Sequence, residues 1–330
     1  MALAVIGCQP KQSSRAVFDN YLYRLSNSLD VKVESKPPAA LLAHYPEQSS
    51  VSHDIPALNI SMLEFLQLSK CDLQRLIGER NSSLGRLMTG YHALLYEYEF
   101  LLLAEQCLQV IGPKDSLHAE LGRAITHKKN YQGQLYWNAT FASEEVSYLF
   151  SLGSQPLTHQ QLSNNPSELI SALEDLHAWL SDPTTESQQL EHAYKMIGTR
   201  KYIGELRLTM AATTAALEQA TSMIDERVSP KPLCYQQRSN QKFEVVDRVF
   251  HRFYIGEVQP LLAKVHQQGQ TLFNLIDQLQ NSLEPSKPFA DFWGPVYQSE
   301  DSEWQSFNRA VDTHTKAWQN LLRQCGALPS

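Results

Sequence analysis

Apolar residues recur at intervals of three and four along most of the chain, which is the spacing of one face of an α-helix. No convincing alternation of apolar and polar residues, the pattern of a half-buried strand, interrupts this spacing. Prolines fall between the periodic segments and separate one predicted helix from the next. The predicted helices are 14–29, 61–88, 91–111, 115–130, 142–151, 167–181, 187–228, 239–283 and 301–325. The pattern predicts an all-α fold, a bundle of long antiparallel helices.

The longest apolar stripe runs through segment 187–228, which as one helix would be about 60 Å long. A stripe of that length needs a partner helix along its whole length, and segment 239–283, kinked near Pro260, is the expected partner. After the first helix, four prolines between residues 31 and 56 predict a long irregular crossing. The expected organisation is a truncated signal at 1–8, the first helix and crossing at 9–56, and a helical bundle at 57–330 that divides into lobes 57–165 and 166–330.

The amino-acid composition limits the classes of protein to which the chain could belong. With 330 residues and 42% hydrophobic residues, the chain is long enough to bury a substantial core. The formal net charge of −7 argues against a general nucleic-acid binder, which would usually be basic. We therefore expect no nucleic-acid partner, and no motif in the chain indicates a cofactor.

The N-terminal sequence Val5-Ile6-Gly7-Cys8 resembles a bacterial lipobox, in which the cysteine receives lipid. On this interpretation the mature protein starts at Cys8 and is held in the membrane by its acyl chains. Gln9 stands where inner-membrane lipoproteins usually carry aspartate, so the resemblance implies the outer membrane and a domain that faces the periplasm. The alternative is a cytosolic helical protein with an ordinary Cys8.

Without Cys8, four cysteines remain, an even number in a compartment where disulfides persist. Two turns are possible between the second and third predicted helices, one at 81–83 and one at Thr89-Gly90. The apolar stripe keeps its phase through 81–83, which favours the second turn. Cys71 and Cys107 lie 18 residues either side of Thr89, so an antiparallel hairpin would place them opposite each other. We therefore predict the disulfides Cys71–Cys107 and, by remainder, Cys234–Cys325.

One charged residue, Arg80, falls on this apolar stripe, and the hairpin places it near two glutamates on the facing helix. A guanidinium in that position needs polar partners, because an unpaired buried charge is costly. The candidate polar pocket consists of Arg80, Asn81, Ser82, Glu97 and Glu99, and it would suit an anionic or sugar-like ligand. The alternative is a structural ion pair that fixes the helix register.

Other chemistry is weakly represented. Glu174 and His177 have the Glu-x-x-His spacing of di-iron bundles, but no second such pair occurs, so we predict no metal site. No complete catalytic set is present, and we assign no catalytic residue. The aromatic residues between 289 and 307 are expected to pack a loop onto the end of the bundle, with a groove for a hydrophobic or glycan ligand as the alternative.

Several strings together resemble a family of Gram-negative bacterial lipoproteins known only as a domain of unknown function. They are the lipobox, Arg80-Asn81-Ser82-Ser83-Leu84-Gly85, Tyr96-Glu97, Pro232-Leu233-Cys234, the segment from Phe253 to Pro260, and the segment from Trp318 to Gly326. The resemblance implies a lipoprotein and supplies no chemistry. The expected function is non-enzymatic binding or scaffolding of an envelope protein or glycan. An envelope hydrolase of glycan or lipid that uses Glu97, Glu99 and Arg80 is the alternative.

Overall fold

A computed structural model of the chain describes residues 14–32, 41–57, 65–66, 68–164 and 166–328. Helices dominate these residues and none of them forms a strand, so the predicted all-α fold is confirmed. The α-helices are α1 (Ser14–Leu29), α2 (Gln48–Val51), α3 (Leu73–Asn81), α4 (Gly90–Val110), α5 (Ser116–Asn130), α6 (Gln132–Thr140), α7 (Glu144–Phe150), α8 (His159–Ser163), α9 (Ser167–Ser181), α10 (Gln188–Ile197), α11 (Tyr202–Val228), α12 (Gln241–Val249), α13 (Gln259–Asn281), α14 (Lys287–Trp293) and α15 (Glu303–Gln324). Two π-helices, π1 (Phe250–Val258) and π2 (Gly294–Gln298), follow α12 and α14.

The helix predicted at 187–228 is broken into α10 and α11 around Gly198. A second glycine of this region, Gly204, lies against the backbone that follows α7. A Cβ at Gly204 would lie 2.6 Å from the carbonyl carbon of Ser151, so α11 approaches that backbone more closely than any side chain allows. With 27 residues, α11 is about 40 Å long rather than 60 Å.

The partner predicted for this helix is wrong. Helix α11 packs most extensively against α15 and then against α1, whereas α13 touches it over a shorter length. The apolar face of α15 explains the preference, since Trp304, Phe307, Trp318 and Leu321 are all buried. The last helix therefore supplies the long apolar surface that the stripe requires.

The helix predicted at 61–88 ends early, at Asn81. Ser82 closes the chain into a turn, because its hydroxyl donates to the Glu79 carbonyl at 2.7 Å and accepts from the Gly85 amide at 3.0 Å. Leu84 and Leu87, which continue the apolar stripe in the sequence, are 84% and 76% exposed. The connection therefore spans both candidate turns, leaving α3 at 81 and entering α4 at Gly90, whose φ of 56° suits glycine.

Both predicted cysteine pairs lie at disulfide distance. The Cα atoms are 5.5 Å apart in Cys71–Cys107 and 5.0 Å apart in Cys234–Cys325. The first pairing holds although the hairpin has a longer connection than expected, because Cys71 lies just before α3 rather than inside a continuous helix.

Buried apolar residues form two separate clusters. The smaller cluster consists of residues of α3, α4 and α5 with the neighbouring Leu68 and Ile111, and we call this region the small lobe. Its members are Leu68, Leu73, Leu76, Ile77, Phe100, Ala104, Cys107, Ile111, Leu117, Leu121 and Ile125. The larger cluster, in what we call the body, includes residues from α1, α6 to α8 and everything after them. The smaller cluster includes no residue after α5, and α4 also contributes Leu94 to the larger cluster. The predicted lobes 57–165 and 166–330 stay a prediction.

The aromatic residues between 289 and 307 pack the end of the body, as expected. Phe289, Trp293 and Phe307 are fully buried, and Phe289 stands edge-on to Trp137 and Phe141. No described helix combines the length and apolar character that crossing a membrane requires.

Candidate functional site

A cavity of about 350 Å³ opens in the small lobe between α3, α4 and α5. Its apolar wall consists of Leu68, Leu73, Ile77, Phe100, Leu117, Leu121, Ala124 and Leu135, with Ile55, Pro56 and Ala57 of the N-terminal crossing. Its polar lining consists of Arg80, Asn81, Tyr96, Glu97, Glu120, Arg123, His127 and Lys128. The cavity is therefore amphipathic, with an apolar wall and an excess of cationic side chains.

Helical spacing builds the apolar wall. Leu73 and Ile77 are four residues apart on α3, and Leu117, Leu121 and Ala124 follow the same three-four rhythm on α5. These side chains also belong to the small-lobe core or pack against it. The cavity is thus an opening into the lobe core rather than a surface groove.

A salt bridge between two helices crosses the polar side of the cavity. Lys128 Nζ of α5 lies 2.5 Å from Glu97 Oε2 of α4, and the side chains are only 14% and 11% exposed. The ammonium also stands 5.3 Å and 5.2 Å from the ring centroids of Tyr96 and Phe100. A carboxylate and two ring faces therefore compensate Lys128 for its lost hydration.

Arg80 reaches the same region from α3. Its guanidinium carbon is 5.5 Å from the Tyr96 ring centroid, and Nη1 donates a hydrogen bond to the carbonyl of Gly85. Only glycine fits there, since a Cβ at Gly85 would lie 2.7 Å from the Cα of Arg80. The string from Arg80 to Gly85 is thus a turn that holds the guanidinium against the Tyr96 ring.

The phenol of Tyr96 is held in its neutral form. Burial raises the pKa of Tyr96 above its usual value, the neighbouring Glu97 raises it further, and Arg80 opposes both. At neutral pH the side chain therefore acts as a hydrogen-bonding hydroxyl and not as a base.

The structure brings together three of the five predicted pocket residues. Arg80, Asn81 and Glu97 line the cavity, whereas Ser82 forms the turn and Glu99 lies outside the lining. Glu99 instead adds to the raised pKa of Arg75, which is due mainly to the hydrogen bond from Arg75 to Glu79. The two glutamates of the expected pocket therefore do not face one site.

Sequence reasoning missed the contribution of α5. Lys128 follows Leu117, Leu121 and Ala124 at the same helical spacing, so it is a charged residue on an apolar stripe, as Arg80 is on α3. That signal was available in the sequence. The fact that α5 faces α3 and α4 across the cavity was not.

Comparison with known proteins gives one match. The family described as a protein of unknown function, DUF3080, matches residues 18–329. The chain belongs to the DUF3080 family. No curated protein and no solved structure matches the chain. The DUF3080 match includes both disulfides and all polar residues of the cavity, while Cys8 precedes it and lies outside the described residues.

The body of this DUF3080 member contains a second buried ion pair. Arg207 is fully buried and donates from Nε and Nη2 to the two carboxylate oxygens of Glu303, at 2.8 Å and 2.6 Å. Nη2 also donates to the carbonyl of Ala43 at 2.9 Å, and the guanidinium stacks on Phe292 at 5.1 Å. This pair fastens the N-terminal crossing to α11 and α15.

A histidine is also buried in the body, among α1, α11 and α15. His314 Nε2 lies 2.7 Å from the hydroxyl of Tyr21, and Nδ1 lies 3.0 Å from that of Thr221. The Thr221 hydroxyl donates to the Leu217 carbonyl, so it accepts from Nδ1, which carries the proton of the neutral ring. Trp318 donates to the Tyr21 oxygen, which leaves the Tyr21 proton for Nε2. Burial lowers the pKa of His314 to about 3.

Among the described residues, no three histidine, cysteine, aspartate or glutamate side chains are arranged to hold a metal ion. Glu174, the first residue of the Glu-x-x-His spacing, lies exposed on α9.

Proposed function

We propose that this DUF3080 member is an outer-membrane lipoprotein, anchored through Cys8 and facing the periplasm, that binds an amphiphilic component of the envelope without catalysis. The observation that carries the binding role is the small-lobe cavity with its apolar wall and cationic lining. Ligand cavities of this kind are mostly apolar with a few convergent polar groups that orient the ligand.

The compartment is supported by the cysteines. Two pairs at disulfide distance are expected in an exported protein and are rare in the cytosol, where thiols are kept reduced. The lipobox-like sequence ending at Cys8 supplies the anchor in this proposal. Because two or more acyl chains give stable anchoring, the anchor requires no spanning helix.

The charge distribution favours an anionic head group on the ligand. Lys128 is matched by Glu97, and Arg123 is paired with Glu120 one helical turn earlier. Among the described residues, Arg80 forms no ion pair with a carboxylate, and its guanidinium donates a hydrogen bond to the carbonyl of Gly85. An anion that enters the cavity would thus meet a guanidinium that is already held in place by the turn at Gly85.

The hydrolase alternative gains no support from this geometry. Glycoside hydrolysis needs two carboxylates that flank one bond. Glu97 forms a salt bridge with Lys128. Glu99, the second carboxylate of that alternative, does not line the cavity.

Calorimetric titration of the purified chain with decanoate tests the binding role, and decyl maltoside tests whether a sugar head group is preferred. We expect decanoate to bind. The Arg80→Gln variant should bind decanoate about tenfold more weakly, because it loses one charge-assisted hydrogen bond of about 1.5 kcal/mol. The Leu121→Trp variant should not bind decanoate, because the larger side chain fills the cavity. Leu84→Trp, at an exposed position outside the lining, is the matched control. Equal binding by the Leu121→Trp and Leu84→Trp variants would contradict the assignment of the cavity.

The anchor is tested separately, by metabolic labelling of cells with a palmitate analogue. We expect the protein to be labelled and Cys8→Ala to remove the label, while the Cys71–Cys107 and Cys234–Cys325 bridges still form in the exported protein. A label that persists in the Cys8→Ala protein, or no label in either protein, would remove the lipoprotein assignment without affecting the cavity.

A further inference from the structure

A second feature, in the body rather than in the small lobe, is a surface groove between α1 and the α12–π1 segment. We infer that this groove binds the head groups of anionic phospholipids, so that the face of α1 lies on the membrane surface. Only the part of the argument about reach rests on the proposed anchor at Cys8. The groove itself is argued from its charges and aromatic rings.

The groove has a volume of about 820 Å³ and is lined by polar, basic and aromatic side chains from both walls. They are Asn20, Tyr23, Arg24, Asn27 and Ser28 of α1, and Val245, Arg248, Val249, His251, Arg252, Phe253 and Glu257 of α12 and π1. The lining carries three arginines against one glutamate, in a protein whose net charge is −7. This is a local reversal of the overall charge.

The three arginines are not neutralised within the described part of the chain. All three side chains, those of Arg24, Arg248 and Arg252, are exposed. None of them lies within ion-pair distance of a described carboxylate. His251 differs from them, because it lies 3.5 Å from the carboxylate of Asp247. Like charges held together without counter-charges repel each other, and an anion placed among them would relieve that repulsion.

An aromatic ring holds two of these arginines close together. The guanidinium carbons of Arg24 and Arg252 each lie 5.4 Å from the centroid of the Phe253 ring, one from α1 and one from π1. Stacking leaves the edge of a guanidinium free to donate, and that edge fits a phosphate oxygen pair. Two such forks around one ring form a small receptor for phosphate groups.

The π-helix is responsible for this arrangement. Gln259 donates its backbone hydrogen bond to Tyr254, five residues back, and the following Pro260 has no N–H to donate. The wider turn carries Arg252 and Phe253 on the side that faces α1. Since π-helices are rare and often occur at functional sites, a nine-residue π-helix beside a basic groove is consistent with a binding role.

Two observations favour a membrane surface over a soluble anion. Tyr23 is 59% exposed and Val245 is 39% exposed at the groove, and a tyrosine beside cations is typical of a membrane interface. Five residues lie between Cys8 and Ser14, so the six steps from one Cα atom to the other span at most about 20 Å. An acyl chain on Cys8 would thus keep the start of α1, and with it this face, near the head groups.

Sedimentation with lipid vesicles tests the inference. The full chain carrying Cys8→Ser is mixed with vesicles of phosphatidylcholine alone and with vesicles that also contain phosphatidylglycerol. We expect binding only to the anionic vesicles, with a weakening of about fivefold for each arginine changed to glutamine and roughly a hundredfold for Arg24→Gln, Arg248→Gln and Arg252→Gln together. High salt should weaken binding further, because the residues are exposed.

The matched control removes the same charge elsewhere, by Arg75→Gln, Lys287→Gln and Lys316→Gln, all exposed and outside the groove. Circular dichroism verifies that both triple variants remain folded. Equal losses in the two triple variants, or equal binding to neutral and anionic vesicles, would overturn the inference. Because this protein has no acyl chain, failure of Cys8 labelling leaves the result unchanged, and failure here leaves the labelling result unchanged.

Discussion

The small lobe and the body each bury an ion pair between helices, but the two pairs have different surroundings. In the body, Arg207 is fully enclosed, and Glu303, Ala43 and Phe292 surround it. In the small lobe, Lys128 and its partner border a cavity. Burial of a charged residue therefore does not identify a binding site in this molecule. What sets the candidate site apart is the space beside the charge.

The same contrast holds for hydrogen-bonding capacity. Both ring nitrogens of His314 are satisfied by hydroxyl groups inside the body. In the lobe, Arg80 makes one hydrogen bond to a described residue, the Gly85 carbonyl, although a guanidinium has five N–H donors. His314 therefore links helices of the body through both ring nitrogens, whereas Arg80 of the lobe retains unused donors beside a cavity.

Removing the disulfide of the lobe should have the largest local effect. Changing Cys71 and Cys107 to serine opens a closure of 36 residues, for which the chain-entropy relation gives about 4 kcal/mol. Because the lobe has its own core cluster, we expect its amides to lose protection from hydrogen exchange while those of α11 and α15 stay protected.

The matching change in the body replaces Cys234 and Cys325 with serine. In the wild type this disulfide ties the end of α15 to the loop after α11 across 91 residues. We expect the free energy of unfolding of the body to fall by about 4–5 kcal/mol. Loss of protection throughout the chain in the Cys71–Cys107 variant would mean that the lobe and the body unfold as one unit.

The two ion pairs give the next largest contrast. Glu303→Gln leaves the charge of Arg207 buried without its counter-charge, and we expect a loss of about 3–5 kcal/mol in urea unfolding. Glu97→Gln should cost less, because water in the cavity can reach Lys128. Asp312→Asn, which breaks an exposed pair with Lys316, is the control and should change stability little. Equal losses at Glu303 and Glu97 would contradict the distinction between a fully buried arginine and a lysine that borders a cavity.

How much of this could be predicted from the sequence depends on the range of the interaction. Helices 14–29 and 167–181 were predicted with the bounds that the structure has, because their apolar spacing and boundaries are local. The turn at 81–83 was considered but passed over, since Leu84 and Leu87 continue the stripe while side-chain hydrogen bonds end the helix.

The candidate site was predicted only in part, for a related reason. Arg80 was found from its place on a stripe, whereas its neighbour Lys128 required knowledge of which helices face each other. The π-helix at 250–258 was also missed, because the apolar spacing does not mark where the backbone hydrogen bonds change from four residues back to five. Contacts between elements distant in sequence determined what spacing alone could not.

The smallest effect concerns pH and tests whether the polar network of the body is closed. Burial lowers the pKa of His314 to about 3, whereas an unfolded histidine has a pKa of about 6.5. The unfolded state therefore takes up a proton first as the pH falls, so stability is fully present above about pH 6.5 and is lost progressively towards pH 3, by about 2 kcal/mol at pH 5. Urea unfolding of the wild type and His314→Gln at about pH 7.5 and pH 5 measures this, and the variant should lose less between the two pH values. The Arg80→Gln variant, altered only at the cavity, is the control and should show the same difference in the free energy of unfolding between the two pH values as the wild type. An equal difference in the wild type and in His314→Gln would mean that water reaches His314 and that the body is not closed.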